Sequence, residues 1–529
     1  MRLLPSRRLP AWDRRLNGGL ILGLGVAAGA VLIHLSPAEG LALVGLVAVL
    51  IGTLIEPFVG LATALFLGPL KAYLSSQMPQ IPAQIGHLFV VLALGSWLAR
   101  GLSRHELRIR RSPLLLALLV FIGTVLLSLW DAPGLVEFGT PELIKWVEML
   151  LLFVFVSDHL ATRSETGPAS AEPSLRSRRL RWLVAAVCGV GLFQAGMGIW
   201  QFGLRGDGPD HFAILGGDFF RAYGTFQQPN PYGGYLALTA ALVLGVIAED
   251  VRGTLAGWSN RRQGGEGVAQ RSTNLPGHEP AGLPVTILAW VSCLAMIIAL
   301  GASWSRGAWI GFAAAVVAIA AALPRKTGWG ILLVALLAIG LHASGWDVPA
   351  GRLPASLTAR LTSFVQDIRL EDVRGAPIND ASYAAIERLA HWQSALAMFR
   401  HSLWSGIGFG CYEAAYRQFA LINWPIALGH AHNYYLNLAA ETGLIGLIAH
   451  VFLWGVVLWQ TWRATRYGHG LTRGLALGLL GTWTHMSVHH LLDNLYVNNV
   501  HLQIGVLWGV LAFITEQTSE AASIYDPQA

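Results

Sequence analysis

The chain has 529 residues, of which 54% are hydrophobic and only 12% charged, with a formal net charge of +6. A soluble chain carries roughly 25% charge, because each of its domains needs a polar skin; that skin is missing here, which excludes a soluble enzyme and a disordered protein. The excess arginine is spread through loops between apolar runs, the pattern of topology-setting charge rather than of a nucleic-acid-binding surface.

A membrane-crossing helix needs roughly 20 apolar residues. Taken in chain order, the candidate runs are 17–35, 39–56, 58–74, 84–101, 113–130, 141–160, 181–202, 232–249, 283–302, 307–323, 327–343, 435–461, 472–492 and 498–516. The first follows a basic start (Arg2, Arg7, Arg8, Arg14, Arg15) and is long enough to span, so it reads as a retained anchor rather than a cleaved signal. The third is interrupted by Pro69 and Lys71. The expected fold class is an all-α polytopic membrane protein of about 12–14 transmembrane helices.

Basic loops test the topology. With the N-terminus inside, the chain is inside again after four runs, at Arg104, Arg108, Arg110 and Arg111, and after six, at Arg163, Arg176, Arg178, Arg179 and Arg181. Later inner loops carry Arg252, Arg261, Arg262 and Arg271, then Arg325 and Lys326, then Arg463, Arg466 and Arg473. Both termini are therefore expected in the cytoplasm. The organisation reads as N-terminal transmembrane helices over 1–202, a core with an outer loop and helices over 203–343, a large outer loop over 344–434, C-terminal transmembrane helices over 435–516 and a cytoplasmic tail over 517–529. Inner segments 163–181 and 252–281, rich in Ser, Gly, Pro and Arg, read as flexible connectors. Cys188 and Cys293 fall in apolar runs and Cys411 in the long loop; neither a disulfide pair nor a CxxC metal spacing emerges.

Three segments expected on the outer face carry the chemistry. The first runs from Arg221 through Asn230 to Gly233; the second is Ser303-Trp304-Ser305-Arg306-Gly307; the third is His430-Ala431-His432-Asn433, with Glu441 two turns into the next run. Arginine is the side chain best shaped for bidentate phosphate contacts, so Arg221 and Arg306 on one face point to an anionic headgroup such as a diphosphate; the alternative is snorkelling to lipid headgroups. His432 has the titration range of a general base; the alternative is a surface histidine. His430 and His432 without a clear carboxylate or third histidine make a weak metal site, and no metal is expected. Lys145 and Glu148, at i and i+3, can neutralise each other. Asp493, beside His489 and His490, can orient an imidazole or arginine, or be an exposed turn residue. Trp304, Trp392, Trp404 and Trp424 can stack on sugars.

In these residues the chain resembles the O-antigen ligase and O-antigen polymerase superfamily of bacterial envelope proteins. Four ordered motifs carry the resemblance: Arg221–Gly233 with its Gly-Thr-Phe-x-x-Pro-Asn core; Ser305-Arg306-Gly307; Glu387-Arg388 followed by Trp392 and Gly406-Ile407-Gly408-Phe409-Gly410; and His432-Asn433 followed by Gly443-Leu444-Ile445-Gly446. The resemblance implies a GT-C-like, metal-independent inverting glycosyltransferase of the bacterial inner membrane that needs no cofactor. It would move a glycan from undecaprenyl diphosphate to an acceptor glycolipid or a growing glycan, with its site facing the periplasm among membrane lipids. By motif, Arg221, Arg306 and Arg388 would hold the diphosphate and His432 would deprotonate the acceptor hydroxyl, supported by Asn230, Asn433, Glu441, His430, Asp493 and Lys145. The absence of an outer Asp-x-Asp or Trp-Trp-Asp string argues against the metal-dependent oligosaccharyltransferase branch. Ligase, polymerase and protein O-glycosylase activities stay open. So do two other classes, a bicarbonate or small-anion transporter and a non-catalytic lipid- or polysaccharide-binding scaffold.

Overall fold

A computed structural model gives the architecture; it describes residues 36–161, 172–214, 217–262, 282–324, 373–375 and 383–525. The predicted runs 17–35 and 327–343 lie outside the described residues, as do most of 344–382 and parts of both connectors. The described chain is helical: α1 (Pro37–Ile55), α2 (Pro57–Leu67), α3 (Lys71–Gln77), α4 (Ile85–Arg104), α5 (Pro113–Ser128), α6 (Thr140–Ala161), α7 (Glu172–Ile199), α8 (Pro229–Arg262), α9 (Leu283–Ala302), α10 (Arg306–Ala322), α11 (Tyr383–His401), α12 (Tyr412–Phe419), α13 (Tyr434–Tyr467), α14 (Gly470–His489) and α15 (Val500–Tyr525). Among the described residues one antiparallel ribbon, Ala213–Ile214 with Phe219–Phe220, completes the structure.

Each remaining predicted run holds a helix. The interruption at Pro69 is a 3-10 turn, Gly68–Leu70, between α2 and α3. Residues 383–434, read from sequence as loop, instead contain α11 and α12. Six described segments are long and apolar enough to cross a membrane: Pro57–Gln77, Ile85–Arg104, Ser177–Leu204, Pro229–Leu255, Leu283–Ala302 and Tyr434–Tyr467. Helix starts follow local chemistry. Ser36 caps α1 in a reciprocal box with Glu39, and Ser112 caps α5 ahead of Pro113, whose missing N–H costs nothing at that position.

Small residues let the helices close. A Cβ on Gly478 of α14 would lie 2.1 Å from the Leu242 carbonyl oxygen of α8, and one on Gly245 2.0 Å from the Gly478 nitrogen, so the two backbones touch. At one end of the bundle the buried Glu249 accepts from Arg252 (Nε, 2.7 Å) and Arg473 (Nη1, 2.8 Å), a charge that burial tolerates because it is doubly paired. The opposite end gathers the first turns of α8, α10, α13 and α15 and the last turns of α5, α7, α9 and α14.

The glycines of the third and fourth motifs meet at that second end. Helix α13 breaks at Gly443 (φ 63°, ψ −163°), a backbone region open essentially to glycine alone. The 403–410 turn lies against the break as a backbone seam: Ile407 N donates to Ala440 O (3.0 Å), Gly408 N to Glu441 O (2.9 Å) and Leu444 N to Leu403 O (2.8 Å). A Cβ on Gly406 would sit 2.2 Å from the Glu441 carbonyl carbon. Cys188, Cys293 and Cys411 are buried free thiols, Cys411 included despite its loop context.

Candidate functional site

Arg221 follows the two-stranded ribbon, and its backbone N–H donates to Phe212 O (2.9 Å) while Ala222 N donates to Ala302 O (2.9 Å) at the end of α9. Its guanidinium donates from Nε to Ser303 O (3.1 Å) and from Nη2 to Asn230 Oδ1 (3.1 Å). Asn230, in the first turn of α8, thus orients Arg221. The loop beneath is held by two buried glutamines. Gln201 Oε1 accepts from Tyr223 N (3.1 Å) and Gly224 N (2.6 Å), and Gln194 Nε2 donates to the Thr225 hydroxyl (2.8 Å). The sequence reading passed over both; an amide inside an otherwise apolar run was the available signal.

The carbonyls that Arg221 grips belong to the turn that presents Arg306. Trp304 there is left-handed (φ 52°), and Arg306 is the first residue of α10. A helix N-terminus adds its own positive partial charge to an arginine placed on it.

His432 immediately precedes the N-cap of α13. Asn433 Oδ1 accepts from Leu436 N (3.0 Å), and its Nδ2 donates to Leu491 O (3.0 Å); Tyr434 N donates to His490 O (2.8 Å). These bonds sew the start of α13 to the turn after α14 and bring Asp493 to the histidines. Asp493 Oδ1 lies 3.6 Å from His430 Nε2 and 3.8 Å from His432 Nδ1. His430 Nδ1 accepts from His432 N (3.0 Å), which puts the proton of a neutral His430 on Nε2, facing the carboxylate. Asp493 is buried, not an exposed turn residue. His391, one turn after Arg388 on α11, sits edge-on to His432 (centroids 5.8 Å) and stacks on Tyr416 (4.7 Å). The Tyr412 hydroxyl lies 3.0 Å from His391 Nδ1. The sequence reading missed His391, although its i, i+3 spacing from Arg388 places both on one helix face.

Electrostatics follow from burial and proximity. Burial pushes His391 down to about 4, aided by the charges of His432 and His430. Burial likewise pushes His430 down to about 4; Asp493 works against this, while His432 and Arg388 add to it. Burial alone would raise Asp493, but His432, His430 and His489 more than offset it and hold the carboxyl well below the usual range. Asp493 is therefore an anion in this setting.

The three segments are contiguous. His489 and Leu492 pack over Gly307, with His489 Cε1 3.6 Å and Leu492 Cβ 3.5 Å from where a Cβ would be. Arg221 is thereby linked through Ser303 and Trp304 to Arg306 and Gly307, and Gly307 through Leu492 to Asp493 and His432. Five of the six described non-glycine residues with left-handed backbone lie at this end: Gln227, Trp304, His432, Asn498 and Asn499. Such strain concentrates at functional sites.

Two residues of the sequence reading stand apart from this group. Glu441 is buried and accepts from Tyr412 N (3.2 Å), bracing the 410–412 turn. Lys145 pairs with Glu142, not Glu148, and donates to Tyr496 O (3.3 Å); the helix presents Glu148 instead to His87 and His501. Among the described residues two groups bring metal-ligating atoms within 4.8 Å of one another: His430, His432 and Asp493, and His87, Glu148 and His501. The carboxylate that the sequence did not place beside His430 and His432 is Asp493.

Fold and site together define a helical polytopic membrane protein with Arg221, Arg306, His430 and His432 gathered at one end of the bundle. Residues 291–451, from α9 into α13, match the family model described as O-antigen ligase, so this stretch is similar to that family. The match spans three of the four motifs and supports, at a coarse level, a glycosyltransferase-like enzyme that joins or polymerises glycans. No curated protein matches the chain.

Proposed function

We propose that the protein transfers a glycan from undecaprenyl diphosphate to an acceptor hydroxyl at the outer leaflet of the bacterial inner membrane, with inversion and without a metal in the reaction. A lipid diphosphate is already an activated donor, so no nucleotide is needed. The acceptor oxygen attacks the anomeric carbon, the bond from that carbon to the phosphate oxygen breaks, and the electron pair leaves on the diphosphate. Arg221, Arg306 and Arg388 stabilise the developing charge as preorganised cations. His432 takes the hydroxyl proton, and the Asp493 anion beside Nδ1 favours the imidazolium that forms.

The observation that carries this reading is the contiguity of the Arg221–Arg306 turn with the His432–Asp493 pair. A transporter would place its polar groups at midplane between repeats; here Arg221, Arg306, His430, His432 and Asp493 collect at one end. Basic loops at the opposite end favour an N-in topology with about 12–14 spans.

The test is the glycan profile of a deletion strain complemented with wild type, His432→Ala or Arg306→Ala, each at equal membrane abundance. Long lipid-linked chains left unattached identify a ligase, and single repeat units a polymerase. Normal surface glycan in both variants would overturn the proposal.

A further inference from the structure

Away from the His432 group, a second set of ionisable side chains meets where α4, α6 and α15 converge. Glu148 of α6 places one carboxylate oxygen 2.6 Å from His87 Nδ1 and the other 2.9 Å from His501 Nε2. His87 and His501 lie in the first turns of α4 and α15, with rings stacked 26° apart in tilt and 6.0 Å apart in centroid. On its far side His87 Nε2 faces Asn499 Oδ1 at 3.2 Å, an oxygen held in place by the left-handed backbone of Asn498 and Asn499 (φ 47° and 60°).

That second contact bears on the chemistry. An imidazole that donates Nε2–H to an amide oxygen points a bare lone pair from Nδ1 at whatever lies beyond, here a carboxylate oxygen. Lone pair against carboxylate is repulsive, so a cation belongs between them. A proton on His87 is one such cation, with neutral His501 donating Nε2–H to the other carboxylate oxygen. A divalent metal serves both histidines and the carboxylate at once, and an outer partner on the non-ligating nitrogen is the usual companion of a metal-bound histidine. Two imidazoles and one carboxylate form the donor set of a zinc site with an open fourth position. The three ligand atoms lie within 4.8 Å of one another; ligands bonded at about 2.0–2.1 Å in a tetrahedron stand roughly 3.3 Å apart, so on binding Glu148 withdraws by less than about 1 Å and the two imidazoles close on the ion. The neighbouring Lys145 is paired with Glu142, and His87, with a quarter of its side chain exposed, leaves a path for entry.

We infer that His87, Glu148 and His501 form a binding site for one divalent transition metal, zinc by its donor chemistry, that fastens α4, α6 and α15 together. The site is structural rather than part of the transfer reaction. It lies under the donor-side loop, because Asn498 Nδ2 donates to Phe226 O (3.4 Å) and Tyr73 N to Thr225 O (3.1 Å).

The test is metal content of the full-length protein in nanodiscs, measured after incubation with Zn²⁺ and desalting. One equivalent per chain in wild type and in His430→Ala, falling at least tenfold in His501→Ala and Glu148→Gln, supports the site. A metal-free wild type, or metal lost in His430→Ala and kept in His501→Ala, overturns it. Should His501→Ala and Glu148→Gln not fold, Co²⁺ replaces them as a probe of wild type and of His430→Ala. Visible d–d bands of a low-coordinate cobalt site present in both proteins and displaced by Zn²⁺ support the proposal, and their absence from either overturns it.

Discussion

His432 Nδ1 stands 3.8 Å from the Asp493 carboxylate, an ion-pair distance rather than a hydrogen bond. The pair is slack at rest and can tighten once His432 gains a proton. His432→Ala should therefore lower glycan transfer about 10²–10⁴-fold, the range of a lost general base, while donor affinity changes little. Asp493→Asn should lower it less. Both are read from transfer rates of the reconstituted protein with a lipid-linked donor; an unchanged rate in His432→Ala would remove the base from the mechanism.

Arg221 uses Nε and Nη2 on Ser303 and Asn230, so its planar fork, not only its charge, sets its direction. Arg221→Lys should weaken donor binding about tenfold or more, the scale of a lost charged hydrogen bond. Asn230→Ala should weaken it in the same direction by a smaller factor. Binding of a lipid diphosphate to nanodisc-embedded protein measures both.

Gly443→Ala forces a Cβ to within 2.4 Å of the Trp404 backbone at a φ of 63°. Strain of about 1–3 kcal/mol from the backbone alone, plus the clash, should lower the unfolding midpoint and the amount of folded protein recovered from membranes. A wild-type midpoint would mean the 403–410 seam is not rigid.

Acid should loosen this end of the molecule. His391 and His430 take protons near pH 4 in the folded protein but near 6.5 when unfolded. Between those values the unfolded chain binds more protons, so stability falls as pH drops from about 6.5 to about 4. The depressed Asp493 adds loss at still lower pH. Thermal unfolding across pH 7 to 4.5 should show the decline, and His391→Gln should flatten it.

Topology has a direct check. Ile426 and Ile109 are 73% and 71% exposed at opposite ends of the bundle, and the native cysteines are buried. A membrane-impermeant thiol reagent on intact cells should label Ile426→Cys and spare Ile109→Cys. The reverse pattern would put the proposed reaction on the wrong side of the membrane.

Hydropathy alone set the class and the positions of the apolar helices, because a span needs a long apolar run and nothing distant alters that requirement; the more polar α11 and α12 left no such mark. Arginine spacing, Ser-Arg-Gly and His-Asn were legible as candidates for the same local reason. Tertiary structure decided the partners: Asn230 for Arg221, Asp493 for the histidines, His87 and His501 for Glu148 where Lys145 had been the expected neighbour, and Gly406 against Gly443. Each of these except Asn230 depends on segments far apart in sequence being packed side by side, and a helix's own periodicity carries no record of which neighbour it will face.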